Sequence, residues 1–421
     1  MQRSMAASVE LNLHHARFGG QDKPPLEFVP PLTSLCLVAA AENFQQRPTF
    51  AGVPDKFKDR MVSMLGTSMP LELSAPLIND ETYWKRCSTE RWQNCIVTEH
   101  GHSWKQLFFE RCCEEELENF DGTLQAQQEV ARFLKLAADW VYKLRVKQFT
   151  CHNDVGFIFD NLPNLYSFSV IYGNRNVGMQ YDRSVFGMKL IDAEYLSKQI
   201  ALTQSLTSLV LHENLLDDEK IRRLSIGLKG NSTVTSLDFS HNRIADRGAR
   251  TIAKLLGEGS VVIRLVLCDN QLHSESGKFL GRMLQGNQTL QDLNLRLNRL
   301  SDKGGCYIFE GLKSNHALRS LNISANGLEL ESARVFGAMA RTNTSLRELN
   351  LSSNAMQAEG GTSVREGLEG NSSIFAIDIR SNKIPPEVEV AIRTIIKSNE
   401  TEARNAVLSL KKAQRGKQAA T

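Results

Sequence analysis

The sequence predicts an α/β solenoid in which short parallel strands stack and a helix follows each strand. Two observations support this prediction. One apolar motif occurs seven times in an unbroken phase, and helical periodicity fills the residues between its copies. The copies begin at residues 206, 234, 262, 290, 318, 346 and 374, so that each starts 28 residues after the one before. A fixed period of this length is typical of proteins built from stacked repeats.

Each copy follows the pattern Leu-x-x-Leu-x-Leu-x-x-Asn-x-Leu, which the first copy spells with Leu206, Leu209, Leu211, Asn214 and Leu216. Leucines two positions apart on a strand point to the same face, which must be the core. The asparagine comes where the chain leaves the strand, and its side chain can bond the backbone of the turn. An apolar residue there would leave buried polar groups unpaired, at about 1–3 kcal/mol each. This pattern is the leucine-rich-repeat signature.

The second half of each repeat predicts a helix, because apolar residues recur three or four positions apart, as in Ala249, Ile252, Ala253 and Leu256. Several helices should end in residues that accept a left-handed cap. These are Gly230-Asn231, Gly286-Asn287, Ser314-Asn315 and Gly370-Asn371. Strands stack about 4.8 Å apart and helices about 8–10 Å apart. We therefore expect a curved solenoid of the 28-residue, ribonuclease-inhibitor-like type, with its strands on the concave side.

A small helical N-terminal domain is predicted to precede the repeats. Residues 1–30 resemble a flexible lead, since Gly and Pro pairs break them. Residues 31–122 form the helical, capping domain, which holds three of the four tryptophans. Its predicted helices are Leu32–Phe44, Pro54–Leu65, Asp80–Asn94 and His102–Phe120, with Pro70–Leu77 as an apolar connector. The aromatic residues at helical spacing are expected to be core.

The repeat domain is predicted to span residues 123–398, with irregular repeats in 123–205 and regular repeats in 206–398. The irregular part holds a helix at Thr123–Lys143 and strands around Val146 and Phe168. The first regular repeat starts 41 residues after Leu165, which indicates an insertion of about 13 residues at 173–187. A last helix is expected at Glu387–Ser398. Residues 399–421 form a basic tail, read either as a docking helix for an acidic partner or as a solvated tail.

Composition excludes several classes of function. The net charge of +3 gives no argument for nucleic-acid binding, and no apolar run is long enough to cross a membrane. We expect no secretion signal, because no basic segment followed by an apolar run opens the sequence. The eight cysteines are scattered and are expected to be reduced thiols, and the Asn-x-Ser/Thr triplets to be helix ends rather than glycosylation sites.

We find no motif for catalysis or cofactor binding: GxxxxGK[ST], HExxH and GxSxG are all absent. The most promising group is Glu213, His241 and Asp269, which hold the same position in three consecutive repeats and should form a column on the concave strands. Such residues can ligate a metal. However, Leu297, Ala325 and Ser353 continue the column, so we predict a polar protein-binding surface and no metal. The predicted contact residues are Glu213, His241, Asp269, Arg296 and Arg380, with Tyr181 and Arg183 in the inserted loop.

Two stretches before the repeats carry a resemblance to a known family. They are Tyr83-Trp84-Lys85-Arg86, followed by Arg91-Trp92, and Trp104-Lys-Gln-Leu-Phe-Phe-Glu110. The chain resembles, over about residues 30–400, the t-complex-associated testis-expressed family, the leucine-rich-repeat subunit (subunit five) of the nexin–dynein regulatory complex. The resemblance implies a non-catalytic axonemal scaffold of motile cilia and flagella. It also implies other subunits of that complex as partners, together with inner-arm dynein or doublet-microtubule components, and no cofactor, nucleic acid or membrane.

Two other classes share parts of this layout. Ran-GTPase activators use similar 28-residue repeats, but begin almost directly with them; such a protein would accelerate GTP hydrolysis. F-box ubiquitin-ligase receptors place a helical domain before leucine-rich repeats, and Trp84 to Trp92 faintly suggests such a box, although no clear Leu-Pro start is present. Binding to the ligase adaptor would identify that class.

Overall fold

A computed structural model describes residues 30–174, 186–257 and 259–418, with side chains up to residue 405. The chain forms two compact units, one ending at Leu73 and the other beginning at Ser74. This division falls inside the predicted helical domain 31–122, so the boundaries drawn from the sequence at 30, 122 and 398 remain predictions. The predicted lead lies outside the described residues, except for Pro30.

The first unit contains α1 (Leu32–Glu42) and α2 (Asp55–Met64), both within predicted helices. The connector predicted at Pro70–Leu77 is wrong, because Leu71–Leu77 forms a helix, α3, across the division between the units. Pro70 suits this helix because it precedes the first turn, where no backbone N–H is needed, whereas Pro76 lies inside the helix and removes one backbone donor from its last turn.

The second unit is built on a parallel sheet whose nine described strands pair in chain order. They are β1 (Lys143–Phe149), β2 (Ser167–Tyr172), β3 (Ser208–Val210), β4 (Ser236–Asp238), β5 (Arg264–Val266), β6 (Asp292–Asn294), β7 (Ser320–Asn322), β8 (Glu348–Asn350) and β9 (Ala376–Asp378). Equivalent leucines pair directly, as Leu209 does with Leu237 and Leu237 with Leu265, and all three are fully buried. The predicted leucine-rich-repeat fold is thereby confirmed.

The described helices of this unit are α4 (Glu81–Arg91), α5 (Trp104–Glu118), α6 (Leu124–Ala137), α7 (Gly156–Asn161), α8 (Leu190–Leu202), α9 (Asp218–Leu228), α10 (Asp246–Leu255), α11 (Ser274–Gly286), α12 (Ser301–Leu312), α13 (Leu330–Ala340), α14 (Gln357–Leu368) and α15 (Pro386–Gln418). From α8 onward they follow the 28-residue repeat, and each helix packs against the next.

Two predicted helix ends differ from the structure. The helix expected to reach Lys143 ends at Ala137, and Lys143 already belongs to β1. The helix expected to end at Ser398 continues to Gln418. Residues 399–415 contain no glycine or proline and are rich in alanine, leucine, lysine and glutamate, which favour helix. Residues 399–418 therefore have a helical backbone, and the docking role considered from the sequence stays a prediction.

Glycines let neighbouring helices approach closely. A Cβ atom added to Gly281 of α11 would lie 2.2 Å from the carbonyl oxygen of Tyr307 on α12, whereas one added to Gly286 would meet nothing within 4 Å. We expect Gly281→Ala to lower the free energy of unfolding by about 3 kcal/mol, because two helix backbones must separate. Gly286→Ala should leave it unchanged or raise it by about 0.5 kcal/mol. Urea titrations of both variants test this, and equal midpoints would contradict the close packing.

The first edge of the sheet is covered by glutamates of α5. Backbone N–H groups of Tyr142 and Lys143 donate to Glu110 Oε1 at 3.0 and 2.9 Å, Arg145 N–H donates to Glu114 at 2.8 Å, and Lys147 N–H to Glu118 at 2.8 Å. Four helical residues rise about 6 Å, and two strand residues about 6.6 Å, so the two spacings match. The three carboxylates, which we call the edge glutamates, thus take the place of a neighbouring strand and protect the edge from pairing with another chain.

One edge glutamate should make stability depend on pH. Burial raises the pKa of Glu114 to about 7, although the Arg145 N–H favours the charged form. Because the pKa in the folded state exceeds the unfolded value of 4.5, the stability from this group is complete below pH 4.5 and is lost as the pH rises through 7. Between pH 4.5 and 7.5, we expect the free energy of unfolding of Glu114→Gln to rise by about 2 kcal/mol relative to that of the parent. Urea titrations across that range measure it. Glu116 is exposed, so the free energy of unfolding of Glu116→Gln should depend on pH as that of the parent does. The same pH dependence for Glu114→Gln would contradict the prediction.

Candidate protein-binding surface

The residue before each repeat asparagine has a left-handed backbone conformation. This set, which we call the turn column, consists of Glu213, His241, Asp269, Leu297, Ala325, Ser353 and Ser381, with φ between 52° and 59°. The prediction that these residues lie on the strands is wrong, since β3 ends at Val210, three residues before Glu213. Side-chain spacing does not encode φ, so the sequence pattern could not reveal the turn. From Glu213 to Ser353 the next repeat fixes this conformation: His241 N–H donates to the Cys268 carbonyl at 2.8 Å, and Asp269 N–H to that of Arg296 at 2.8 Å.

The asparagines behind the turn column form a buried ladder. The members of this turn ladder are Asn214, Asn242, Asn270, Asn298, Asn326, Asn354 and Asn382. Asn242 shows the pattern: its Nδ2 donates to the Leu211, Phe239 and Ser240 carbonyls, each at 2.9 Å. Its Oδ1 accepts the N–H groups of Asn214 and Leu216 at 3.0 and 2.9 Å. The predicted role of the asparagine is thus present, and it holds the exposed turn column in place.

The turn column is polar at its start. His241 Nδ1 lies 2.9 Å from Asp269 Oδ2, and both side chains are about half exposed, so this contact contributes little to stability. Glu213 is exposed at the head of the column. These three residues stand on consecutive repeats as the sequence predicts. Within the described residues, no three histidine, cysteine or acidic side chains are grouped closely enough to hold a metal ion.

The two predicted arginines belong to a neighbouring column. Arg296 is not in line with Asp269, because the repeat places Leu297 there; it shares its position with His212, Ser240, Cys268, Ser324, Ser352 and Arg380. Both arginines are exposed. Arg380 forms a two-point contact with Asp378, with Nε–Oδ1 and Nη2–Oδ2 distances of 2.9 and 2.7 Å, which holds the pKa of Asp378 below its ordinary value. The positive charge of Arg380 is therefore already partly neutralised.

The loop residues Tyr181 and Arg183 lie outside the described residues. The ends of the predicted insertion are described: Gly173 and Phe186 form an isolated antiparallel bridge directly after β2. The proposed contact role of Tyr181 and Arg183 therefore stays a prediction.

A second ladder of asparagines runs along the helix ends. The members of this helix-end ladder are Asn231, Asn287, Asn315, Asn343, Asn371 and Asn399. Asn315 is typical: its Nδ2 donates to the Leu284 and Asn287 carbonyls at 2.7 and 3.0 Å, and its Oδ1 accepts the N–H groups of Ala317 and Leu318. The expected left-handed cap is wrong for Gly230, Gly286 and Gly370, none of which has positive φ. The asparagine side chains bind the backbone instead.

These features define the class: a leucine-rich-repeat protein whose exposed turns are set by two asparagine ladders. No helix in the described part of the chain has the length and apolar character of a membrane span. The Leucine Rich repeat family model matches residues 230–253, 286–308 and 342–364.

Curated relatives named Dynein regulatory complex subunit 5 match part of this chain. The Chlamydomonas reinhardtii protein is 42% identical over 195 residues, covering 46% of this chain and 50% of the relative. The Mus musculus protein is 32% identical over 227 residues (47% and 46%), and the Homo sapiens protein 29% over 225 residues (47% and 45%). The chain thus spans about half the length of the curated relatives it matches. The predicted resemblance to subunit five of the dynein regulatory complex is confirmed by these matches.

Among solved structures, the chain is similar to leiomodin-1 actin-binding site 2, with a TM-score of 0.35, 14% identity, and coverage of 40% of this chain and 96% of that one. It is also similar to an internalin from Listeria monocytogenes, with a TM-score of 0.37, 18% identity, and coverage of 61% and 70%. At these TM-scores the assignment of the fold rests on the sheet and its ladders.

Proposed function

We propose that this chain is a non-catalytic structural subunit of the dynein regulatory complex of motile cilia and flagella. The observation that carries the proposal is the 42% identity to the Chlamydomonas protein of that name. The repeat structure is compatible with it, because a row of exposed turns on a hydrogen-bonded frame offers a preorganised surface for protein partners. The partners we propose are other subunits of the complex, with inner-arm dynein or components of the doublet microtubule.

In this proposal the chain lies in the axoneme and helps regulate sliding driven by dynein. The experiment is complementation of a Chlamydomonas strain that lacks its own subunit five with a tagged copy of this chain. We expect the tag to remain along the axoneme after detergent extraction and swimming to improve. A tagged Ran-GTPase activator serves as the control for leucine-rich repeats in general. A diffuse signal from our chain, or retention equal to that control, would contradict the proposal.

The proposed contact residues can be tested in the same strain. Replacing Arg296 and Arg380 by glutamate reverses two exposed charges near the turn column. We expect retention in the axoneme at high salt to fall about tenfold, because charges at an interface rim govern association and its salt dependence. Arg282→Glu, an exposed arginine on α11, is the matched control. Unchanged retention of the double variant would remove the arginines from the proposed surface.

A further inference from the structure

A polar cavity lies beside two rungs of the helix-end ladder, Asn343 and Asn371. It has a volume of about 300 Å³, and its walls come from residues 340–347, between the end of α13 and the start of β8, and from residues 370–373, between α14 and β9. Every residue of both segments is described, and no acidic side chain is among those that line the cavity. The lining consists instead mainly of groups that donate hydrogen bonds.

Two arginines of the lining have no acidic partner. Arg341 is exposed, and its side chain makes no ion pair or hydrogen bond within the described part of the chain. Arg347 is half-buried, and its Nη1 donates to the Ser373 carbonyl at 3.1 Å. A guanidinium carries several N–H donors, of which this bond uses one. Most donors of the two arginines are therefore free to contact a ligand.

Two hydroxyl groups of the lining are free as well. Thr344 and Ser372 are exposed, and neither hydroxyl makes a hydrogen bond to another described residue. The buried hydroxyl of Ser373, next to Ser372, is instead used by the ladder and donates to the Asn343 carbonyl at 3.2 Å. The cavity thus has free donors among its exposed residues and a satisfied group among its buried ones.

Positive charge continues beside the cavity. Arg319 holds the position of Arg347 one repeat earlier, is exposed, and forms no ion pair with any described carboxylate. Glu369 holds the position of Arg341 one repeat later, but it pairs with Arg365 of α14. The carboxylates of the described residues therefore leave this group of arginines without neutralisation.

We propose that this cavity is a docking site for an acidic segment of a partner protein. A carboxylate of the segment accepts N–H groups of Arg341 and Arg347, and the hydroxyls of Thr344 and Ser372 donate to its remaining lone pairs. A neighbouring carboxylate of the segment meets Arg319. Guanidinium groups match carboxylates in shape, and hydrogen bonds between charged groups are stronger than neutral ones. The proposal rests on the proposed function for the source of the segment, which is another subunit of the complex.

The test measures, by fluorescence anisotropy at low salt, the binding of a labelled oligoglutamate peptide to the purified full chain. Arg341→Gln with Arg347→Gln should weaken binding about tenfold. Arg341→Lys with Arg347→Lys should weaken it less, because the charge stays and only the planar guanidinium is lost. Arg247→Gln with Arg282→Gln removes the same charge from exposed positions of α10 and α11 and should match the parent. Equal melting temperatures verify that the variants keep the fold.

Several results would overturn the proposal. Parent-like binding by the Arg341/Arg347 glutamine variant would mean that the peptide is held elsewhere, and equal weakening by the control pair would reduce the effect to net charge. An oligoglutamine peptide that binds as tightly as oligoglutamate would exclude a carboxylate site. Displacement of the peptide by inorganic phosphate at matched ionic strength would assign the cavity to a phosphate group instead.

A second measurement identifies the partner in the Chlamydomonas strain described above. A photo-crosslinking residue at Thr342, which is exposed next to the cavity, should capture an acidic segment of another subunit. Capture of a neutral or basic segment would contradict the proposed chemistry. If the peptide binds as expected but the chain is not retained in the axoneme, the proposed function fails and the cavity remains a carboxylate site.

Discussion

Replacing Asn242 by alanine should lower the free energy of unfolding by about 4 kcal/mol. The side chain makes three donor and two acceptor contacts with buried backbone groups of two repeats. Alanine satisfies none of them, and each unpaired buried group costs about 1–3 kcal/mol, reduced where water enters. The loss should appear as a lower urea midpoint followed by far-ultraviolet circular dichroism.

The matched control for Asn242 is Asn294→Ala. Asn294 lies on β6 and is only half-buried, and its Oδ1 accepts one N–H, that of Arg296, at 3.0 Å. We expect a loss of about 1 kcal/mol or less. Similar losses for the two variants would mean that the turn ladder does not carry the stability assigned to it.

The second large effect is expected at Glu110 of α5. Its carboxylate is fully buried, accepts the N–H groups of Tyr142 and Lys143 through Oε1, and contacts His100 through Oε2. Glu110→Ala leaves these groups unpaired at the edge of the sheet, and we expect a loss of about 4 kcal/mol. Glu110→Gln keeps one oxygen acceptor and should lose about half as much.

Glu116→Ala is the control on the same helix, because its side chain is exposed, and should change stability by less than about 0.5 kcal/mol. An exposed first edge should also favour association, since β1 would present free backbone donors to another chain. Light scattering of Glu110→Ala measures this. A variant as stable and as monomeric as the parent would show that α5 is not required to cover the edge.

The repeat frame was predictable because its chemistry is periodic. Leu209, Leu237 and Leu265 identify the buried face of the strands, and the asparagines identify the turn that follows. The left-handed conformation of His241 was not predictable, since it depends on hydrogen bonds from the next repeat rather than on residue type. Periodicity also placed Glu213, His241 and Asp269 correctly side by side, while Arg296 and Arg380 fall one position earlier in the repeat.

The edge glutamates show a different limit of the sequence. Glu110, Glu114 and Glu118 are spaced four apart, and that signal is visible in the chain. However, Glu114 also belongs to a run of three glutamates at 114–116, which suggests a solvated face. Only the position of β1 beside α5 shows that one row of carboxylates accepts hydrogen bonds from the backbone of β1.

The unbroken 28-residue phase has a consequence for how such a chain can change length. An insertion within the strand or turn of a regular repeat would break the turn ladder, whereas the insertion at 173–187 leaves β2 paired with β3. The sheet between α5 and α15 therefore lengthens only by whole repeats. Each added or deleted repeat changes the length of the stack by about 4.8 Å on the strand side and about 10 Å on the helix side. The length of the second unit can therefore change only in steps of one repeat, and the asparagines mark those steps.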